Sequence, residues 1–388
     1  MPRILHTADW QIGRTYNRFE VEDAAALFEA RFTVVERLAD LAHDEGCDLV
    51  VVAGDVFDAQ TVSDRTIRRT FNAMEAFAGP WVLLPGNHDA ALAESVWTRA
   101  QRLGAVPDNV YLALEPGVLE FPEQGVAVLT APLTQRHTYD DVTAAFDDLE
   151  SSSGLIRIGL AHGSVQGILA EDIDSANPIA PDRAARARLD YLALGDWHGA
   201  KQIDNRSWYS GTPEPERFRN NDAGYALVVD IAQPGAEPKV SPHRTAHHEW
   251  QQLRESLAVD SDLDGFLESL AALPANSVLD IHLSGEITLS GEQKLLQALS
   301  AAEARHRSLH CDRSQLRLQA TEEDIAALQA DGYLGEVIQE LRDGPQDGDQ
   351  GVARDALAIL AGLLRERKLE SRSDEPQVAT EALAAEEG

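Results

Sequence analysis

Five apolar runs in the first 200 residues end in side chains able to hold a cation. "ILHTADWQIG" (4–13) closes on Asp9 and Gln11, and "AGDVFD" (53–58) on Asp55 and Asp58. "PGNHD" (85–89) presents Asn87, His88 and Asp89, "AHGS" (161–164) presents His162, and "GDWHG" (195–199) presents Asp196 and His198. Carboxylates and amides mixed with imidazoles, with no thiolate among them, suit Mn²⁺, Mg²⁺, Fe²⁺ or Zn²⁺. Singly these signals are weak: a Gly-Asp pair after a strand is commonly a turn, and a strand-end histidine is commonly structural. An Asn-His-Asp triplet in a tight turn has little reason to exist for packing, and five such endings together argue for a metal centre. Glycines at 54, 86, 163 and 195 let the backbone turn sharply and approach a ligand closely.

Such side chains need a scaffold that gathers strand ends. Runs rich in Val, Ile and Leu predict strands near 3–8, 48–53, 81–84, 109–113, 126–130, 155–161, 191–195 and 224–231. Between them, helical spacing predicts helices over 21–45, 63–77, 91–103 and 138–149, the first with acidic residues in its opening turn. The alternation implies an α/β fold. In such folds sites assemble in the crevice at the carboxyl ends of the strands. Beyond residue 255, "SVLDIHLSG" (277–285), a helix near 290–305 and "HCDRSQLRLQ" (310–319) predict a small strand-helix-strand domain over 273–320. Two amphipathic patterns, 321–343 and 351–368, follow, and each must bury its apolar stripe against the body or a partner. The acidic stretch 369–388 lacks a core pattern and is expected to be disordered.

With 388 residues, 44% hydrophobic and 25% charged, the chain has room for one large domain and smaller ones. No apolar run approaches the ~20 residues a membrane helix needs, so no membrane role is expected, and no charged-then-apolar leader pattern opens the chain. Cys47 and Cys311 alone make a disulfide framework improbable and suit a reduced cytoplasm. The formal charge of −32 is the unusual quantity. It predicts poor non-specific affinity for nucleic acid, which binds largely through Lys and Arg. A nucleic-acid role therefore needs a local basic patch, bound cations or a basic partner. Arg14 and Arg18, after the first motif, and Arg65, Arg68 and Arg69 are the candidates for such a patch, with a solvated helix face as the alternative.

The ordered set D-x-Q, GD, GNHD, strand-end His and GDxH resembles the calcineurin-like metallophosphoesterase superfamily, whose usual pattern is D-x-H, GD, GNHD, His and GHxH. Within it the chain is most similar to the nuclease subunits of SbcCD-type DNA repair complexes, through "ILHTADWQIGR", "GDVFD" and "WYSGTPEPERF" (208–218). The resemblance spans about 1–230 and implies a two-sheet sandwich flanked by helices as a nuclease domain over 1–255. Residues 273–320 match only in layout, as a small α+β capping domain. The C-terminal helices at 321–368 match an ATPase-docking element in the same limited sense.

Carried over position by position, the resemblance gives Asp9, Asp55 and His198 to a first metal, with Gln11 in the fourth place. Asp55 would bridge to a second metal completed by Asn87, His162 and Asp196. Two positions depart: Gln11 stands where the family has His, and Asp196 stands where it has the first His of GHxH. Gln11 either ligates through its amide oxygen or hydrogen-bonds a water or phosphate, and the weak donor power of an amide favours the second. The exchanges leave three carboxylates, Asp9, Asp55 and Asp196, which favours harder ions: Mn²⁺ first, Mg²⁺ second.

In such a centre two divalent metals activate water for attack on a phosphodiester. His88 is expected to protonate the leaving oxygen, with Asp89 orienting its ring. Asp58 is expected either to line the cleft or to cap the helix near Ser63, and Trp10, Trp197 and Trp208 to pack the walls. The function implied is a DNA exo- or endonuclease subunit working with an SbcC-like coiled-coil ATPase, with a homodimer expected from resemblance alone. The alternatives are a phosphodiesterase or phosphatase for small molecules, which the acidic charge favours, and a non-catalytic scaffold with a decayed site.

Overall fold

The computed structural model describes residues 1–168, 176–319 and 333–343, with isolated positions between 352 and 363. The chain divides into two units, Met1–Trp250 and Gln251–Gly388.

The first unit opens with β1 (Arg3–Thr7), α1 (Val21–Asp44), β2 (Leu49–Val52), α2 (Asp64–Asn72), β3 (Trp81–Leu83), α3 (Val96–Arg102) and β4 (Val110–Leu112). It continues through β5 (Gly117–Phe121), β6 (Val126–Ala131), β7 (Ile156–His162), the short β8 (Ser164–Val165) and β9 (Pro178–Ile179), and α4 (Arg183–Arg186). β10 (Tyr191–Gly195), β11 (Lys201–Gln202), β12 (Ser207–Tyr209), β13 (Tyr225–Asp230) and β14 (Lys239–Arg244) complete it. Two six-stranded sheets result, in the orders β14-β13-β1-β2-β3-β4 and β11-β12-β10-β7-β6-β5. In each, four neighbouring strands run parallel. Antiparallel strands sit outside them.

Near-continuous apolar runs suit parallel strands because both faces are covered. In β2, Leu49 and Val51 face the second sheet, packing with Val128, Ile158 and Leu160. Val50 and Val52 face the other way, into a cluster with Phe32, Val35 and Leu38 of α1, Phe71 of α2 and Trp97 of α3. The outer face of the second sheet is covered by Phe146, Ala184 and Leu189. The unit is thus a sheet-on-sheet sandwich flanked by helical segments, the α/β architecture expected. Trp10 lies in the helix-side cluster, Trp208 packs against the inter-sheet one and Trp197 against the outer one, as wall residues.

Several local expectations need correction. The helix expected over 138–149 is only a 3-10 turn, Val142–Asp147. Asp141 caps the start of that turn by accepting from the Thr143 amide and pairs with buried Arg183. The predicted helices at 63–77 and 91–103 shorten to α2 and α3, which Ser63 and Ser95 cap from their own side chains. Strands β5 and β14 fall outside the predicted set. Both lie at sheet edges, where charged residues and Pro242 are tolerated and blur the apolar pattern.

In the second unit a three-stranded sheet, β15 (Glu249–Leu257, its first two residues belonging to the first unit), β16 (Ser277–Thr288) and β17 (Ser308–Gln319), packs with α5 (Asp260–Ala272) and α6 (Leu289–Arg305). β16 and β17 pair in parallel across the α6 crossover, and Leu263, Phe266, Ile281 and Leu295 fill the core. A further helix covers Tyr333–Asp343. The rest of the 321–368 pattern, apart from scattered positions, and the acidic stretch 369–388 lie outside the described residues.

Candidate metal centre

β1, β2 and β3 of the first sheet and β7 and β10 of the second deliver their following residues to one place. The loops after β1 and β2 are stitched together by Asp9 N–H donating to the Gly54 carbonyl (3.0 Å) and Gln11 N–H to the Asp55 carbonyl (2.9 Å). This forces Asp9 (φ 54°), Gln11 (φ 53°) and Asp55 (φ 53°) into the left-handed region, and Asp196 also has positive φ (104°). Non-glycine residues there cost of order 1 kcal/mol or more each and cluster at functional sites. Gly54 (φ +91°) and Gly86 are required by close approach. A Cβ on the first would overlap the His162 ring, and one on the second the Asp55 carboxylate.

The side chains that meet are largely buried. One ligand atom from each of Asp9, Asp55 and His162 lies within 4.8 Å of the others. His162 Nε2 is 3.7 Å from Asp55 Oδ2, 3.8 Å from Asp196 Oδ1 and 2.8 Å from Asn87 Oδ1, while its Nδ1 donates to the Ala53 carbonyl (2.8 Å). Asp9 accepts from the Asp196 amide (3.2 Å), and Asp55 accepts from the His88 amide (2.9 Å) and the Gln11 amide group (3.0 Å). Six of the seven expected ligand positions, Asp9, Gln11, Asp55, Asn87, His162 and Asp196, are therefore linked by direct contacts. His198 joins from the β10 loop. Its charge acts on Asp9, and its Nδ1 lies 2.7 Å from Glu216 Oε1, a contact that does not involve Nε2.

Three carboxylates beside two imidazoles with so little water must share protons or take up cations. Burial pushes Asp9 up to about 6 despite His198 and His162, and raises Asp196 as well. Burial opposes charge on His162, but Asp55, Asp9 and Asp196 together outweigh it and raise the ring to about 9. Protonated, His162 donates from both nitrogens; losing the Nε2 proton would free that atom and Asn87 Oδ1 together. Gln11 Oε1 is buried without a hydrogen-bond partner among the described residues. An orphaned oxygen, crowded carboxylates and backbone-anchored imidazole are what a divalent cation requires of its donors.

The two residues expected to do proton chemistry separate. His88 Nδ1 meets the Asp58 carbonyl (2.8 Å), and Asp196 feels the charge of its ring. Asp89 is fully buried and spends its carboxylate on the amides of Gly86 (2.7 Å) and Phe57 (3.0 Å). The expectation that Asp89 orients His88 is therefore corrected: the tight turn consumes both its oxygens, and the Asp58 carbonyl fixes the ring instead. Asp58 neither caps α2, a task Ser63 performs, nor is free, since it pairs with Arg14 (3.2 Å).

Sequence reasoning missed Glu216 and its holder Arg31. Arg31 of α1, fully buried, donates to Tyr16 Oη, Thr212 Oγ1 and the carbonyls of Trp10, Glu214 and Pro215, and lies 3.6 Å from Glu216. It clamps the 212–216 turn that aims Glu216 at His198. "EPERF" lies within the 208–218 motif, but nothing in its spacing links it to a histidine eighteen positions earlier.

A two-sheet sandwich with crowded carboxylates and histidines at its strand ends defines a metal-dependent phosphoesterase fold. The calcineurin-like phosphoesterase family model matches residues 2–229, and the chain belongs to that family. Among relatives, it is 39% identical over 288 residues to the D component of nuclease SbcCD from Rhodobacter capsulatus, covering 62% of this chain and 69% of that one. It is 28% identical over 273 residues to the corresponding SbcCD component from Bacillus subtilis, covering 61% and 67%. The DNA double-strand break repair protein Mre11 of Methanosarcina acetivorans is 25% identical over 250 residues, covering 61% of this chain but 38% of that protein.

Proposed function

We propose that this phosphoesterase is a DNA nuclease using two divalent cations, with Asp9, Gln11, Asp55, Asn87, His162, Asp196 and His198 as their holders. The observation that carries the reading is the convergence of Asp9, Asp55 and His162, set beside relatives named as nucleases. Bound there, two cations would neutralise phosphate oxygens and lower the pKa of a water. The chain's own contribution is placement. Asp55 is fixed by the His88 and Gln11 donors, His162 by Ala53, and His198 by Glu216. His88, with Nδ1 held by Asp58, keeps Nε2 for the proton needed by the leaving oxygen. Asp89 holds the Asn87-His88 turn rigid.

Mn²⁺ is the proposed activator, because Asp196 supplies oxygen where the family pattern has a nitrogen. A coiled-coil ATPase bound through the C-terminal helices would provide the basic surface missing from a chain of charge −32. A cytoplasmic setting suits the two unpaired cysteines. Among the described residues, no helix is long and apolar enough to cross a membrane.

The test is hydrolysis of linear DNA and of bis-p-nitrophenyl phosphate by purified protein with Mn²⁺, Mg²⁺ or Zn²⁺. DNA cleavage greatest with Mn²⁺ and lost in Asp55→Ala is expected. Turnover of the small diester without DNA cleavage would support the small-molecule reading, and an empty metal site with no turnover the scaffold.

A further inference from the structure

The arginines near the site differ in what they have left to give. Arg14 is committed to Asp58 (3.2 Å) and Glu216 (3.7 Å), Arg31 is buried under the 212–216 turn, and Arg217 grips Glu216. In the α2 cluster, Arg69 is bound by Glu29 and stacked on Phe32, while Arg68 donates to the Leu103 carbonyl. Arg65 of α2 is exposed and has no hydrogen-bond or ion-pair partner among the described residues. Arg18 is like it in that but differs in being held on aromatic rings: its guanidinium lies 5.0 Å from the Phe19 ring, 5.1 Å from Phe218 and 5.9 Å from Trp250. Those rings brace one another, with Phe19–Trp250 at 5.5 Å and Phe218–Trp250 at 5.0 Å, and Tyr16 closes the cluster.

This ledge flanks the metal centre. Phe218 is two residues past Glu216, a step of at most about 7.6 Å, and Glu216 holds His198. Arg14, four residues before Arg18, ties the loop to Asp58, whose carbonyl holds His88. Exposed Arg219 adds a second cation just past Phe218.

We propose that Arg18, stacked on Phe19, Phe218 and Trp250, binds a backbone phosphate of a polynucleotide substrate, one other than the phosphate being hydrolysed. The inference rests on the nuclease reading above. A guanidinium laid on aromatic faces keeps its planar fork of N–H donors free, has already lost most of its rotamer freedom, and matches two phosphate oxygens at once. In so acidic a chain, one unpaired and preorganised cation beside the centre is where the strand's charge is met.

The experiment compares wild type, Arg18→Ala and Arg18→Lys on a single-stranded oligonucleotide over a range of salt, and on bis-p-nitrophenyl phosphate, with Mn²⁺ throughout. Arg18→Ala is expected to lose about tenfold or more in kcat/KM on the oligonucleotide. It should also flatten the salt dependence of oligonucleotide binding by about one unit of slope. Turnover of the small diester, which carries no second phosphate for Arg18 to bind, should stay within about twofold. Arg18→Lys should recover the salt slope but only part of the rate, since it restores charge without the fork. If wild type cleaves the oligonucleotide and Arg18→Ala matches it in rate and salt slope, the inference is wrong. It is equally wrong if both substrates decline in parallel, because Arg18 then serves only the fold. If wild type turns over the small diester but no oligonucleotide, the nuclease reading itself fails.

Discussion

Replacing Glu216 by Gln tests whether a buried carboxylate outside the ligand set governs how tightly the centre holds its cations. Glu216 is 1% exposed, and its Oε1 lies 2.7 Å from His198 Nδ1, with Arg31 at 3.6 Å and Arg14 at 3.7 Å from Oε2. Burial alone would raise its pKa, but His198, Arg31 and Arg217 together hold it well below the usual carboxylate range, so it is ionised at any working pH. An ionised partner on Nδ1 makes the opposite nitrogen a stronger donor and fixes which nitrogen carries the proton. An amide keeps an acceptor at the same place and removes the charge. Changes of this kind cost about 10- to 100-fold in metal affinity, or about 1.4 to 2.7 kcal/mol. Glu216→Ala would also strip a partner from fully buried Arg31. Breaking a buried pair costs about 3 to 5 kcal/mol, although Arg31's hydroxyl and carbonyl partners keep the loss toward the lower end. Mn²⁺ titration by calorimetry reads the first effect, and urea unfolding in EDTA reads the second. If Glu216→Gln binds Mn²⁺ as tightly as wild type, the Glu216–His198 contact is packing only.

Three other outcomes follow from the same geometry. His88→Ala should keep Mn²⁺ affinity within a few-fold but lose about 10²- to 10⁴-fold in kcat; calorimetry with single-turnover kinetics checks both, and loss of metal would show that His88 holds the centre together instead. Gln11→His should tighten Zn²⁺ more than Mn²⁺, because it trades the orphaned amide oxygen for a nitrogen donor; competitive titration with the two ions reads the ratio, and an unchanged ratio removes Gln11 from the ligand set. Metal-free protein should lose stability as pH rises from about 6.5 toward about 9. Across that window the native state retains on His162 a proton that the unfolded chain releases. Asp89, raised by burial and by Asp55 to about 8, acts in the same direction. Urea midpoints in EDTA should fall with pH, and saturating divalent cation should flatten the fall; midpoints that rise in EDTA would contradict the sign.

Much of this centre was legible because its residues follow strands directly. A strand reads as an apolar run, and the next two or three positions inherit its endpoint, so Asp9, Asp55, Asn87, His162 and Asp196 could be placed from spacing. The topology that faces β1–β3 toward β7 and β10 entered through family resemblance, since no periodicity states which strands share a rim. Residues acting through tertiary contact were opaque: Arg31 reads as an ordinary surface position of α1, and Glu216 as one more acid in an acidic chain. Asp89 misleads for a related reason. Adjacent in sequence to His88, it reads as the ring's partner. The turn that places the histidine consumes both carboxylate oxygens on amides, and the ring goes to a carbonyl thirty residues upstream.

The backbone and the charges of the site bear on one another. Asp9, Gln11, Asp55 and Asp196 all hold positive φ, a conformation non-glycine residues avoid, and three of the four are carboxylates, two of them, Asp9 and Asp55, buried. Neither the strain nor the crowding favours folding, so the sandwich beneath must supply the difference, and it does so through layers of Val, Ile and Leu buried on both sides of each sheet. In the metal-free protein a proton on His162 offsets part of the repulsion, with Ala53 and Asn87 accepting from its two nitrogens. On the reading proposed above, a divalent cation would do the same with more charge and would offer the Gln11 oxygen a partner. Metal uptake should therefore displace protons, and its measured affinity should climb with pH until His162 has titrated, near 9. Titrating Mn²⁺ in two buffers of different ionisation enthalpy counts those protons directly, and a count of zero at about pH 7 would mean that His162 carries no proton for the cation to displace or lies outside the centre.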